Sequence, residues 1–129
     1  MLVSPAELVG VAKATISECS VKDVENCLDE NPILIDLREP QEYMKGCIPG
    51  AIPLPRGMLE FEIHNLVGAV MPAPELPPAE QPIVLYCGTG GRSALAAQSL
   101  ESMGYTNVRS MAGGLVAWAA AHLPIDTPA

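Results

Sequence analysis

The sequence predicts an α/β fold built around a mostly parallel sheet. Three observations carry this. Two short apolar runs rich in β-branched residues, Ile33-Leu34-Ile35 and Ile83-Val84-Leu85-Tyr86, read as buried strands. Segments with helical spacing alternate with these runs along the chain. The second run passes into a glycine-rich turn, Cys87-Gly88-Thr89-Gly90-Gly91-Arg92, which leads into a further helical segment.

Taken in order, Ser4-Pro5 has the form of an N-cap followed by proline at the first helical position, and Leu8, Val11 and Ala12 repeat at helical spacing, predicting a helix over 5–14. Ser20 caps a second helix with Val21, Val24, Cys27 and Leu28 on one face, and Asp23 suits its first turn. Asn31-Pro32 ends it before the first strand. Pro40 to Lys45 forms a short helix stopped by Gly46, followed by a turn and an extended piece over 48–53. Over 57–64, Leu59, Phe61 and Ile63 alternate as in a strand, whereas Leu59, Ile63 and Leu66 fit a helix; helix is the preferred reading. Prolines at 72, 74, 77, 78 and 82 make 68–82 an irregular surface loop. After the second strand and its loop, Ser93 to Met103 reads as a helix ended by Gly104, Thr106 to Arg109 as a strand, Gly113-Gly114 as a turn and Leu115 to Ala121 as a last short helix.

The 129 residues suit one domain, and no internal repeat is visible. The longest apolar run, Ala112 to Ala121, is too short to cross a bilayer, which needs about 20 residues. The N-terminus has no basic flank, and Glu7 interrupts its apolar stretch, so no export signal is expected. A cytoplasmic, reducing setting with free thiols follows as the expectation. The net charge of −8, from 15 acidic and 7 basic residues, argues against nucleic acid and anionic membrane as partners. It also means that any site for an anion must be locally positive. Cys19, Cys27, Cys47 and Cys87 form no Cys-x-x-Cys pair, and His64 and His122 lie far from them in sequence, so no metal site and no cofactor are expected.

The loop from Cys87 to Arg92 carries the chemistry. In open α/β sheets ligands sit beyond the carboxyl ends of the strands, and Cys87 occupies such an end. Gly88, Gly90 and Gly91 allow tight curvature and leave the backbone N–H groups uncovered, so that these converge as an anion-binding nest. The helix beginning near Ser93 points its positive end at the same place, and Arg92 adds a full charge. Together these favour a thiolate, in a setting that brings cysteine pKa values from about 8.5 into the range of roughly 3.5–7.5. On chemistry alone, a buried strand-end cysteine whose glycines merely turn the chain fits the same pattern.

Four segments, in order, resemble the rhodanese family. Cys87-Gly88-Thr89-Gly90-Gly91-Arg92-Ser93 is similar to its active-site loop. Asp36-Leu37-Arg38-Glu39-Pro40 with Glu42-Tyr43 resembles its first signature, and Gly46-Cys47-Ile48-Pro49-Gly50-Ala51-Ile52-Pro53-Leu54-Pro55 its second. Gly104-Tyr105-Thr106-Asn107-Val108 and Gly113-Gly114-Leu115-Val116-Ala117-Trp118 are similar to its closing segments. The resemblance runs from about 33 to 124 and leaves the helix at 5–14 and the loop at 68–82 outside it.

The resemblance implies a five-stranded sheet flanked by helices on both faces. It further implies sulfur transfer: Cys87 takes sulfur from thiosulfate and passes the persulfide sulfur to cyanide or a thiol, with Gly88, Thr89, Gly90, Gly91, Arg92 and Ser93 as the binding loop. A sulfur-relay protein as donor or acceptor, and 3-mercaptopyruvate as donor, are the alternatives. Phosphate- and arsenate-processing relatives use a longer loop than the four residues Gly88 to Gly91 between Cys87 and Arg92, so that chemistry fits poorly. Family members commonly carry histidine where this chain has Cys47, which invites either a packing role or an internal disulfide with Cys87. Arg38 either attracts the substrate anion or pairs with Asp36, Glu39 or Glu42, the second being preferred. Trp118 is expected in the core, and His64 and His122 as solvated or locally bonded.

Overall fold

The computed structural model describes residues 1–128. Five strands form one sheet: β1 (Ser17–Cys19), β2 (Ile33–Asp36), β3 (Ile52–Pro53), β4 (Ile83–Tyr86) and β5 (Val108–Met111). Their order is β1-β5-β4-β2-β3, and every neighbouring pair is parallel. β4 is thus the central strand, with Leu85 in register with Ile35 on one side and Ser110 on the other. The helices are α1 (Pro5–Lys13), α2 (Val21–Cys27), α3 (Pro40–Met44), α4 (Leu59–Val70), α5 (Gly91–Ser102) and α6 (Gly114–Ala120).

Strand residues alternate between two buried layers, as the period of two requires. Ile33, Ile35, Ile83, Leu85 and Val108 pack with Leu59, Ile63 and Val67 of α4 and Ala96, Ala97 and Leu100 of α5. Leu34, Val84, Tyr86 and Met111 pack on the other face with Val24 of α2 and Trp118 of α6. Trp118 is fully buried, and its indole N–H donates to the Pro124 carbonyl at 2.8 Å. α1 lies along α5.

The helix starts follow the capping rules. The Ser4 hydroxyl accepts from Glu7 N–H at 3.1 Å, and Ser20 and Asp23 form a reciprocal capping box. The proline-rich segment is held from within: buried Gln81 accepts from Ala73 N–H and donates to the Ala73 and Leu76 carbonyls.

Several expected boundaries move. The segment over 57–64 is helical and continues to Val70, anchored by buried Val67, so the first residues of the expected 68–82 loop belong to α4. α5 begins at Gly91 rather than Ser93, because Gly90, at φ +104°, takes the N-cap place. The last strand starts at Val108 rather than Thr106, whose N–H donates instead to the Ala79 carbonyl. β1 has no counterpart in the elements predicted from sequence. Among the described residues no helix is long and apolar enough to cross a membrane.

Candidate active site

β4 delivers Cys87 to the carboxyl end of the sheet's centre, where only 1% of its surface remains exposed. The chain then turns back so that two amides meet the sulfur: Gly90 N–H at 3.1 Å and Ser93 N–H at 3.4 Å from Sγ. The Ser93 hydroxyl lies 3.6 Å from Sγ. α5 starts at this point, so the positive end of its dipole faces the sulfur. Burial by itself pushes the thiol up. The Ser93 amide and hydroxyl, then the Gly90 and Thr89 amides, outweigh burial and bring Cys87 below its ordinary value.

The loop carbonyls point the other way and are held by α6. Cys87 C=O accepts from Leu115 N–H at 2.8 Å, and Gly88 C=O from Val116 N–H at 3.1 Å. Gly114 makes this approach feasible. Its φ is +59°, and a Cβ there would stand 2.5 Å from both the Cys87 and Gly88 carbonyl oxygens. The glycine pair at 113–114 is therefore part of the site's scaffold.

Arg92 lies over Gly88 and forms a two-pronged ion pair with Glu42, with N–O distances of 2.8 and 3.1 Å. Arg92 is the main cause that brings the Glu42 carboxyl down to about 2. In return Glu42, and after it the Cys87 sulfur, stabilise the guanidinium charge. The charge expected from Arg92 is present at the loop, and α3 supplies the carboxylate that pairs with it. From sequence, Glu42 is one of three candidate partners of Arg38, and no signal within the loop points to it as the partner of Arg92.

Arg38 is buried and turned inward. Its Nε and Nη2 donate to both oxygens of Asp36 at 3.1 and 2.8 Å, and Nη2 also to the Gly46 carbonyl at 2.6 Å. Tyr86 joins the same network, its hydroxyl donating to Asp36 Oδ2 at 2.5 Å and accepting from Ile48 N–H at 3.1 Å. Arg38 is therefore committed to a carboxylate, and its role is to hold the 46–48 turn against β4.

Cys47 is buried, and its backbone pairs with Asp126 in an isolated antiparallel bridge. Burial pushes its thiol up, partly opposed by a hydrogen bond from Tyr43. All four cysteines are free thiols. His64 Nδ1 meets the Tyr105 hydroxyl at 2.5 Å beside a mainly apolar cavity of about 270 Å³, at the amino ends of β4 and β5 and so away from Cys87. Among the described residues no three His, Cys, Asp or Glu side chains are grouped to hold a metal ion.

The rhodanese-like domain model matches residues 20–121. A sulfurtransferase of Allochromatium vinosum is 33% identical over 99 residues, which make up 77% of this chain and 82% of the relative. The thiosulfate sulfurtransferase GlpE of Haemophilus influenzae is 31% identical over 114 residues, 88% of this chain and 97% of the relative. Among solved structures, one from Rhodopseudomonas palustris, described as a protein of unknown function and possible tyrosine phosphatase, superposes with a TM-score of 0.79 at 30% identity over 98% of this chain and 96% of that one. With a central parallel strand that ends on a thiol ringed by amide donors, and with sequence similarity across most of its length, the chain belongs to the rhodanese-like family of sulfurtransferases.

Proposed function

We propose that the protein transfers sulfane sulfur from thiosulfate to cyanide or a thiol through a persulfide on Cys87. The observation that carries this reading is the buried Cys87 sulfur with amide donors at 3.1 and 3.4 Å and its thiol brought below the ordinary value. The thiolate attacks the outer sulfur of thiosulfate; a Cys87 S–S bond forms, the S–S bond of thiosulfate breaks, and sulfite leaves with that bond's electrons. The acceptor then attacks the outer persulfide sulfur, and the Cys87 thiolate departs. No general base is required, which suits a sulfur surrounded by donors. The loop amides that hold the thiolate also stabilise the anionic persulfide.

A protein-to-protein sulfur carrier using the same Cys87 is the second reading. The pairing of Arg92 with Glu42 favours it, because a neutralised guanidinium attracts a free dianion less than a bare one. A monoanionic donor such as 3-mercaptopyruvate gains from the same feature. Phosphate transfer is disfavoured by the four-residue spacing between Cys87 and Arg92. A cytoplasmic setting keeps the four thiols reduced.

The intact mass after thiosulfate treatment tests the proposal. One added sulfur atom is expected on the parent protein and none on Cys87→Ser, whose thiocyanate production with cyanide falls to background. Sulfur transfer at the parent rate by Cys87→Ser would overturn the reading. Rapid sulfur uptake from a cysteine desulfurase with slow thiosulfate turnover would move the assignment to the carrier.

A further inference from the structure

Behind the reactive sulfur runs a short chain of hydroxyl groups. Ser110 lies on β5, fully buried, and its hydroxyl donates to Ser93 Oγ at 2.8 Å. Ser93 Oγ in turn lies 3.6 Å from Cys87 Sγ and 3.3 Å from the Gly90 carbonyl. The Ser110 side chain has no other hydrogen-bond partner among the described residues, so its proton has one place to go. A serine hydroxyl has one proton and two lone pairs. With one Ser93 lone pair occupied by Ser110, Ser93 has one lone pair left for a Cys87 S–H and one proton to place. That proton has two acceptors within reach, the Gly90 carbonyl and the sulfur.

We infer that Ser110 is a positioning residue for sulfur transfer: by donating to Ser93 it fixes the Ser93 hydroxyl as a hydrogen-bond donor to the Cys87 thiolate and to the persulfide that replaces it. This rests on Cys87 being the sulfur carrier. In the neutral thiol state, Cys87 S–H donates to Ser93 Oγ, and the Ser93 proton goes to the Gly90 carbonyl. In the anionic state, the Ser93 proton turns to the sulfur, and the Ser110 bond persists unchanged. Donation from Ser110 makes the Ser93 oxygen more positive, which strengthens its O–H toward sulfur and weakens its acceptance of S–H. Both effects favour the anion. Ser110 itself makes no hydrogen bond to Sγ among the described residues, so it acts through Ser93.

The test is the pH dependence of Cys87 alkylation by iodoacetamide, followed at that residue by peptide mass mapping, beside melting temperature. Ser110→Ala is expected to raise the alkylation midpoint by about half a pH unit or more, a roughly threefold loss of thiolate at fixed pH. The rate of sulfur transfer falls by a similar factor at pH below the parent midpoint and returns to the parent rate well above it. A Ser110→Thr and Ser110→Val pair, alike in shape and different in the hydroxyl, controls for packing. Thr keeps the parent midpoint, and Val shifts it as Ala does. Equal midpoints for Thr and Val, or an unshifted midpoint in folded Ser110→Ala, overturn the inference. A parent protein whose Cys87 midpoint is already at or above about 8.5 would instead overturn the thiolate reading of the site.

Discussion

The Arg92–Glu42 pair decides how much positive charge an incoming sulfur donor meets. Both side chains are about 40% exposed (41% and 39%), so the pair adds less than about 1 kcal/mol to stability. The sign of its pH dependence follows from Glu42. Its carboxyl sits at about 2 in the folded protein, chiefly because of Arg92, against an ordinary 4.5. A depressed carboxylate contributes stability above its unfolded value and loses it as pH falls through the folded one. Glu42→Gln is therefore expected to melt slightly below the parent near neutral pH, with the difference closing between about pH 4.5 and pH 2. Freed of its partner, Arg92 should attract thiosulfate more strongly, lowering KM several-fold with little change in kcat. A raised KM would show instead that Glu42 serves mainly to hold Arg92 in place. None of this was legible in the loop itself. The two residues are 50 apart in sequence, and Ser110 reaches Ser93 only because β5 lies beside β4. Cys87 and its glycines were legible because a strand end, a tight turn and a helix start follow one another without interruption.

Helices and strands were readable wherever local chemistry decides them. Ser4-Pro5 and the Ser20–Asp23 capping box place α1 and α2, and the β-branched runs place β2 and β4. β1 escaped because Ser-Glu-Cys has no β-branched residue and exposes two of its three positions; it is a strand only by pairing with β5 at the sheet's edge. The start of α5 was misplaced because glycine at 91 suggests a loop, whereas the left-handed Gly90 lets the helix begin there. Two glycine substitutions separate these roles. Gly114→Ala sets a Cβ 2.5 Å from two carbonyl oxygens at φ +59° and should cost about 2 kcal/mol or more, while also raising the Cys87 alkylation midpoint as α6 releases the loop. Gly68→Ala, at an exposed position of α4 where a new Cβ meets nothing within 4 Å, should stabilise by about 0.5–1 kcal/mol and leave the Cys87 midpoint unchanged. Chemical denaturation and alkylation titration measure both. Equal effects of the two changes would contradict the scaffold role given to Gly114.

For the whole molecule, the parallel sheet sets one end apart for chemistry, and its net charge of −8 opposes an anionic donor there. Four of the seven lysines and arginines are already paired. Lys13, Arg38, Arg56 and Arg92 are each within ion-pair distance of a carboxylate. Under the proposed function, thiosulfate as a dianion would approach through a repulsive field and be stabilised on arrival by amides and the helix dipole. Such a field is screened within about 10 Å at 0.1 M salt, whereas short contacts inside the loop are screened much less. Raising ionic strength from about 0.01 to about 0.15 M with an inert salt should therefore increase kcat/KM for thiosulfate several-fold. Alkylation of Cys87 by uncharged iodoacetamide, which feels no net field, should show a flat response and so control for effects of salt on the protein itself. A fall in kcat/KM for thiosulfate over the same range would mean that the cationic charge of Arg92, despite Glu42, outweighs the remaining negative surface. The repulsive-field account of donor approach would then fail, and with it the support that the Arg92–Glu42 pairing lends to a carrier or monoanionic donor as the second reading.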